Sequence, residues 1–463
     1  MIPTVWRRAD RLRDFLFQGL SMNSSAMDDT NTLKLGDAGV FDAHMASWPD
    51  MPSWLADMKR EAWSRFVELP MPKRSDEAWR FATTGNLAFE GFSYASSRNG
   101  GGSASVRPVI DCGGCLDFAD DSFAGGHPLQ EAIAKSGVVF LPLERAIAEH
   151  PELVRRHLFG HMPNLGSAKF EALHVALFST GVFLYVPKGV EVALPLAAMH
   201  ESVREGGSIF PHTLVVADEG ASVTMFDVYR TRHATSRHFA CAAADLVALP
   251  GARIRHRSLQ EWSDGALAFH LGSLTAERSS NLDSIAVNLG GGHVRAEQHG
   301  RIVGRGGEVS MHSLSLATDS REIDQRTLQT HSAEDGKSDL LYKNVLLGKS
   351  HTIFSGLIRV DEGAQRTDAF QTNRNLLLSP DADASSLPGL EILANDVKCS
   401  HGASTGQLDA DQLFYLLARG IPRQQAYELM VMGFFEEVLQ KIGNEELSSY
   451  MRSLLMKRFV VRR

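Results

Sequence analysis

The chain is poor in cysteine, with four in 463 residues. That is too few for a disulfide scaffold and fits a reducing, cytoplasmic setting. No apolar run reaches the length of a membrane span, so a soluble protein is expected. No lysine- or arginine-rich block offsets the net charge of −8, which argues against a protein dominated by nucleic-acid contacts. The signatures of several enzyme classes are missing as well. "HESVR" at His200 stops short of H-E-x-x-H, and no G-x-S-x-G elbow occurs. Gly336-Lys337-Ser338 and Gly348-Lys349-Ser350 look like the ends of phosphate loops, but His331 and Lys343 stand where each loop needs its first glycine. Strands rather than a helix are predicted after both, so both are expected to be turns. ATP hydrolysis by that route is excluded.

What is present has the balance of a globular protein, 43 % hydrophobic and 22 % charged, with length for two or three domains. The opening "MIPTVWRRADRLRDFLFQGL" is rich in arginine, but Asp10, Asp14 and the broken apolar stretch fit neither a signal nor a transit peptide. A start at Met22 or Met27 is an ordinary account of it, and residues 1–45 are expected to be a poorly ordered extension. Residues 46–165 read as a helical region. There "SWLADMKREAWSRFVEL" places Leu55, Met58, Ala62 and Phe66 on one face, with Ser53 as the expected N-cap. "SSRNGGGSAS" is a glycine- and serine-rich loop, and two more helical stretches follow it.

Residues 166–405 change character. Runs such as "TLVVADEGASVTMFDV", "LVALPGARIRHRSL" and "GRIVGRGGEVSMHSLSLA" predict short strands broken at each EGA, PGA or RGGE step. Their spacing is too uneven for a strict repeat. A β-helix accommodates so many short strands most simply, so the fold class expected is mainly β with flanking helices. Residues 406–463 are helical again. Asp409 and Gln412 form a capping-box pair, Gly420 supplies a stop, and Pro422 suits the first turn of the next helix. That helix has two apolar faces: Ala426, Leu429, Met430 and Phe434 on one, Val431, Phe435, Val438, Leu439 and Ile442 on the other. A helix apolar on two faces is enclosed, either within its own domain or against a partner.

Two clusters hold metal-capable side chains. "CGGC", Cys112 to Cys115, has redox-pair or half-zinc-site spacing, but no second pair completes it, and chance cysteines in a glycine turn are the favoured reading. "VKCSHGAS" places Cys399 two residues before His401. If that segment is a strand, both point to one face and one metal ion could touch both. They would sit where the strands end and the helices begin, at a sheet edge that must be covered or paired. Thiolate plus imidazole suits iron or zinc but supplies only two ligands.

The run "TDAFQTNRNLLLSPDADASSLPGLEILANDVKCSHGASTGQLDADQLFYLLARGIP" closely resembles the SufB/SufD family of iron–sulfur cluster assembly scaffolds. "KFEALHVALFSTGVFLYVPKGVEVALPL" and "DLLYKNVLLGKSHTIFSGLIRV" are similar to the same family's core. The resemblance implies a right-handed parallel β-helix between N- and C-terminal helical regions, and a scaffold subunit rather than an enzyme. It points to the SufD type, because "NRNLLLSPDA" lacks the cysteine of SufB-type chains while "VKCSHGAS" is present. It implies a SufB-like paralogue as heterodimer partner, with Cys399 and His401 at that interface as ligands for transient iron and sulfide, and no permanent cofactor. A SufC ABC-type ATPase is implied on the C-terminal helices, which makes Val431, Phe435, Val438 and Leu439 the expected partner-binding face. The sulfur would come from a cysteine-desulfurase system. The sequence is silent on flavin. Two alternatives stand beside this reading: a SufB-like homodimeric scaffold, and a β-helix carbohydrate-active enzyme with paired acidic groups along a groove.

Overall fold

Sequence neighbours in the central region do not pair with one another. In this computed structural model, which describes residues 32–95 and 110–461, each strand from His212 onward pairs in parallel with the second strand along the chain. Ser222–Thr231 pairs with Arg253–Glu261, which pairs with Asn281–Asn288, while the intervening Arg237–Ala248 and Gly265–Ala276 pair with each other in a second sheet. Two ten-stranded sheets result, coiled around one another as a parallel β-solenoid of about 8 turns. The expected β-helix is therefore the fold. Its coils differ in length: partners in one row lie 27 residues apart at Leu282 and Val309 but 31 at Val223 and Ile254. That is why no strict repeat shows in the sequence. Turns between coils fall at the glycine steps, with Gly220, Gly251, Gly306 and Gly348 at φ of 67–71°. At Gly348 a side chain would also meet the Asp319 carbonyl at 2.8 Å, so glycine is required twice over.

The coil has three apolar zones. Lumen-facing rows such as Val223, Ile254, Leu282 and Val309 fill the interior. The outer face of the second sheet, with Phe239 and Phe269, is covered by the N-terminal helices through Trp79 and Phe170. The outer face of the first sheet, with Phe226, Leu259, Ile285 and Leu314, is covered by the C-terminal helices. A charged cluster joins the N-terminal region to the second sheet. Arg295 is fully buried, pairs with Glu297 at 2.8 Å and Asp324 at 2.5 Å, and lies 3.9 Å over the Trp79 ring.

Several local expectations change. The helix Ser53–Glu68 is capped by Pro52, not Ser53, because the extended Pro52 carbonyl accepts from Leu55 and Ala56. Residues 32–45 are not loose: they hold the strand Thr32–Lys34 and most of the helix Gly39–Ala46, pinned by buried Val40 and Phe41. Residues 1–31 and the loop 96–105 lie outside the described residues. The stretch read as helical before residue 166 also contributes Gly114–Ala119 and Val139–Pro142 to the two sheets. At the other end Asp409 caps as expected, accepting from the amides of Asp411 and Gln412 at 2.9 and 3.0 Å.

Candidate functional site

The strand Val397–Gln407 contains both Cys399 and His401 and is the outermost strand of the first sheet. Register fixes where they point. Cys399 ends the row Val223, Ile254, Leu282, Val309, Ser338 and Ala369. His401 ends the row Met225, His256, Ser284, Met311, Leu340 and Gln371. Both rows line the lumen, since Val223, Met225, Ile254, Met311 and Leu340 belong to its apolar core. The two candidate ligands therefore share a face, as the strand period requires, and that face is the mouth of the coil.

Their environments differ. Cys399 is half-buried among Ile358, Val360, Ala364 and Ala369. Burial raises its thiol pKa, the Asp368 carboxylate adds to this, and the Ala369 backbone hydrogen bond opposes it. The thiol is held protonated, so a metal has to displace a proton to bind it. His401 is exposed. One rung below it lies buried Gln371, whose Nε2 donates to the Gly356 carbonyl at 3.2 Å while its Oε1 has no partner. Among the described residues no three histidine, cysteine or acidic side chains converge into a metal site. Cys399 and His401 by themselves offer one thiol and one imidazole on a shared face.

The mouth is uncovered. The strands Asp383–Ile392 and Val397–Gln407 end their sheets without a further neighbour among the described residues. Phe370, Leu390, Ile392 and Leu393 around them are 38–54 % exposed. Long exposed edges with apolar side chains invite pairing with another chain.

The expected partner-binding face is elsewhere. Val431, Phe435, Val438 and Leu439 are at most 1 % exposed, packed with Leu447, Met451 and the outer rows of the first sheet. They are core, because those outer rows carry Phe226, Ile285 and Leu314 and need a cover. Lys343 and Arg257 fasten the same helices. Lys343 donates to the Phe434 carbonyl at 2.9 Å and Arg257 to that of Ile442 at 2.9 Å. The apolar groups left outside are Leu429 at 55 %, and Phe414 and Tyr415 at 71 and 57 % on the helix Ala410–Ala418, which buries no residue. The sequence signal was there in "LFYLL", an apolar run on a helix too short to enclose it. Of the CGGC pair, Cys115 is fully buried on a strand and donates to Asp117 at 3.4 Å. Burial, reinforced by Asp117, raises its thiol pKa, which fits an inert cysteine.

Comparison with known proteins bears on this geometry. A family model described as "SUF system FeS cluster assembly, SufBD core domain" matches residues 200–434, and one described as "SufBD protein N-terminal region" matches residues 116–197. The chain is 25 % identical over 414 residues to the iron–sulfur cluster assembly protein SufD of Bacillus subtilis, covering 88 % of this chain and 94 % of that one. It is 28 % identical over 338 residues to an iron–sulfur cluster assembly SufBD family protein of Synechocystis, covering 71 % of this chain and 70 % of the other. A Pyropia yezoensis protein of the same description is 26 % identical over 350 residues, covering 74 and 72 %.

Proposed function

Because this chain belongs to the SufBD family of the SUF iron–sulfur cluster assembly system, we propose that it is the SufD-type scaffold subunit of a heteromeric assembly complex. The observation that carries the reading is the pair Cys399 and His401, which share one lumen-facing strand face at an uncovered mouth. A SufB-like paralogue pairs there, strand edge to strand edge, and completes the shell around iron and sulfide, the cargo under assembly. The imidazole binds iron or moves a proton near neutral pH. The thiol, once deprotonated by the metal, binds it as thiolate. Family membership displaces the carbohydrate-enzyme alternative.

ATP hydrolysis is supplied by a SufC-type ATPase. Its docking surface is Phe414, Tyr415 and Leu429 rather than the buried face of the following helix. No helix among the described residues is long and apolar enough to cross a membrane, and we place the work in the cytoplasm. Co-expression with the paralogue and the ATPase, followed by mass measurement of the purified assembly, tests the reading. One copy each of this chain and its paralogue with bound ATPase is expected. A mass showing only two copies of this chain, with paralogue present, rejects the SufD assignment in favour of a homodimeric scaffold.

A further inference from the structure

The outer face of the second sheet carries another donor set at the same end of the coil. One outward row runs Phe239, Leu267, His293, Glu322, His351 and Asp383. Its first members pack under the N-terminal helices, and its last four alternate imidazole and carboxylate. His293 Nδ1 lies 3.5 Å from Glu322 Oε1, and Glu322 Oε2 lies 3.7 Å from His351 Nδ1. His351 Nε2 lies 3.4 Å from Asp383 Oδ2 and 3.4 Å from the Ser385 hydroxyl.

Those last separations also suit a shared ion. A charge-assisted N–H···O bond closes to about 2.7–2.9 Å. Two donors that share a tetrahedral ion, each about 2.0–2.1 Å from it, stand about 3.4 Å apart. The other side of the imidazole is also arranged. Glu322 accepts from the Thr83 amide at 2.9 Å and its hydroxyl at 2.6 Å, and these fix its carboxylate against Nδ1. A carboxylate behind one ring nitrogen, with the other turned to oxygen donors, resembles the outer-shell arrangement of histidine metal ligands.

We propose that His351 Nε2, the Asp383 carboxylate and the Ser385 hydroxyl form a site for a divalent transition-metal ion, with Glu322 orienting the imidazole and water completing the shell. Imidazole and oxygen donors suit ferrous iron and its divalent neighbours better than soft ions. With two strong donors and one hydroxyl, the ion is held exchangeably. Asp383 and Ser385 lie on the edge strand Asp383–Ile392, so the next rung of this row belongs to whatever chain pairs there. The site is separate from Cys399 and His401, which face the lumen. Its use as a loading position for iron rests on the scaffold reading; the binding itself does not.

The test uses the purified full chain under anaerobic conditions. Cobalt(II) is titrated and followed by visible ligand-field absorption, and ferrous iron is measured by equilibrium dialysis. One equivalent should bind with intense, tetrahedral-type absorption. His351→Gln and Asp383→Asn should each abolish it, and Glu322→Gln should weaken it by about tenfold or more. The double variant Cys399→Ser/His401→Ala should keep it. Asp383 is three-quarters exposed, so Asp383→Asn is decisive even if a His351 variant folds poorly. Unchanged binding in Asp383→Asn, or only the weak spectrum of hydrated cobalt in the wild type, means an adventitious ion only and overturns the site. A failure of heterodimer assembly would not touch this result, so the two readings fail independently.

Discussion

The two ends of the coil use the same ladder geometry to opposite purposes. At the first end the sheets close with antiparallel strands: Ser122–His127 turns back on Gly114–Ala119, and Val139–Pro142 pairs against Gly181–Val186. Gly181–Val186 is buried at every position but Tyr185, and the lumen beside it holds Val182, Leu184 and Val186. At the last end the strands Asp383–Ile392 and Val397–Gln407 have no buried position at all, and the lumen rows that run through Val223 and Met225 finish in Cys399 and His401. Antiparallel return strands and burial remove an edge; polar lumen residues and an open edge preserve one. One end is closed and buried, and the other is left open.

Substitutions should separate the two. The largest stability effect belongs to the closed end: Leu184→Ala removes a fully buried lumen side chain and should cost about 2–5 kcal/mol in denaturant unfolding. At the open end the double variant Leu390→Lys/Leu393→Lys should change stability by no more than about 0.5 kcal/mol. It should nevertheless stop co-purification with the paralogue. Equal stability losses at both ends would erase the contrast.

A second comparison sets the buried face of the helix Arg423–Leu439 against the exposed residues beside it. Phe435→Ala should loosen the C-terminal helices by about 3–5 kcal/mol, read as faster hydrogen exchange over residues 423–461. The triple variant Phe414→Ser/Tyr415→Ser/Leu429→Ser should leave exchange unchanged and lose the ATPase. ATPase binding that survives the triple variant would move the docking surface elsewhere.

Acid should act on the closed half. Asp227 is fully buried, with His256 at 2.9 Å and His200 at 3.7 Å. Burial raises its pKa, but the two imidazoles outweigh this and hold it at about 2. A depressed carboxylate pKa contributes stability that is complete above its unfolded value of about 3.9 and is lost as pH falls toward the folded value. Stability should therefore drop between about pH 4 and 2, and Asp227→Asn should flatten that part of the profile, measured by urea unfolding at each pH.

Much of this was legible in the residues because it depends on local chemistry. The Asp409 cap, the glycine turns and the same-face placement of Cys399 and His401 follow from side chains a few positions apart. Which face that is required the register of six preceding coils, and coils of unequal length hide the register. The two-faced helix shows the same boundary. Its periodicity marks both faces, but only the apolar outer rows of the first sheet decide that Val431, Phe435, Val438 and Leu439 turn inward. His351 and Asp383 stand 32 residues apart and meet only because strand pairing stacks one coil on the next.

If the open mouth is a cluster-assembly site shared with a second chain, His401→Ala should show it. The variant is co-expressed with the paralogue, the ATPase and the sulfur-donor system, purified anaerobically as the intact complex, and measured for iron, sulfide and visible absorbance. Cys399→Ser, run in parallel, should match it if the thiol is a ligand and fall less if the thiol only packs. A complex of wild-type composition with much reduced cluster content is expected for His401→Ala. Wild-type iron, sulfide and absorbance in that complex would contradict it and leave His401 a residue of the interface alone.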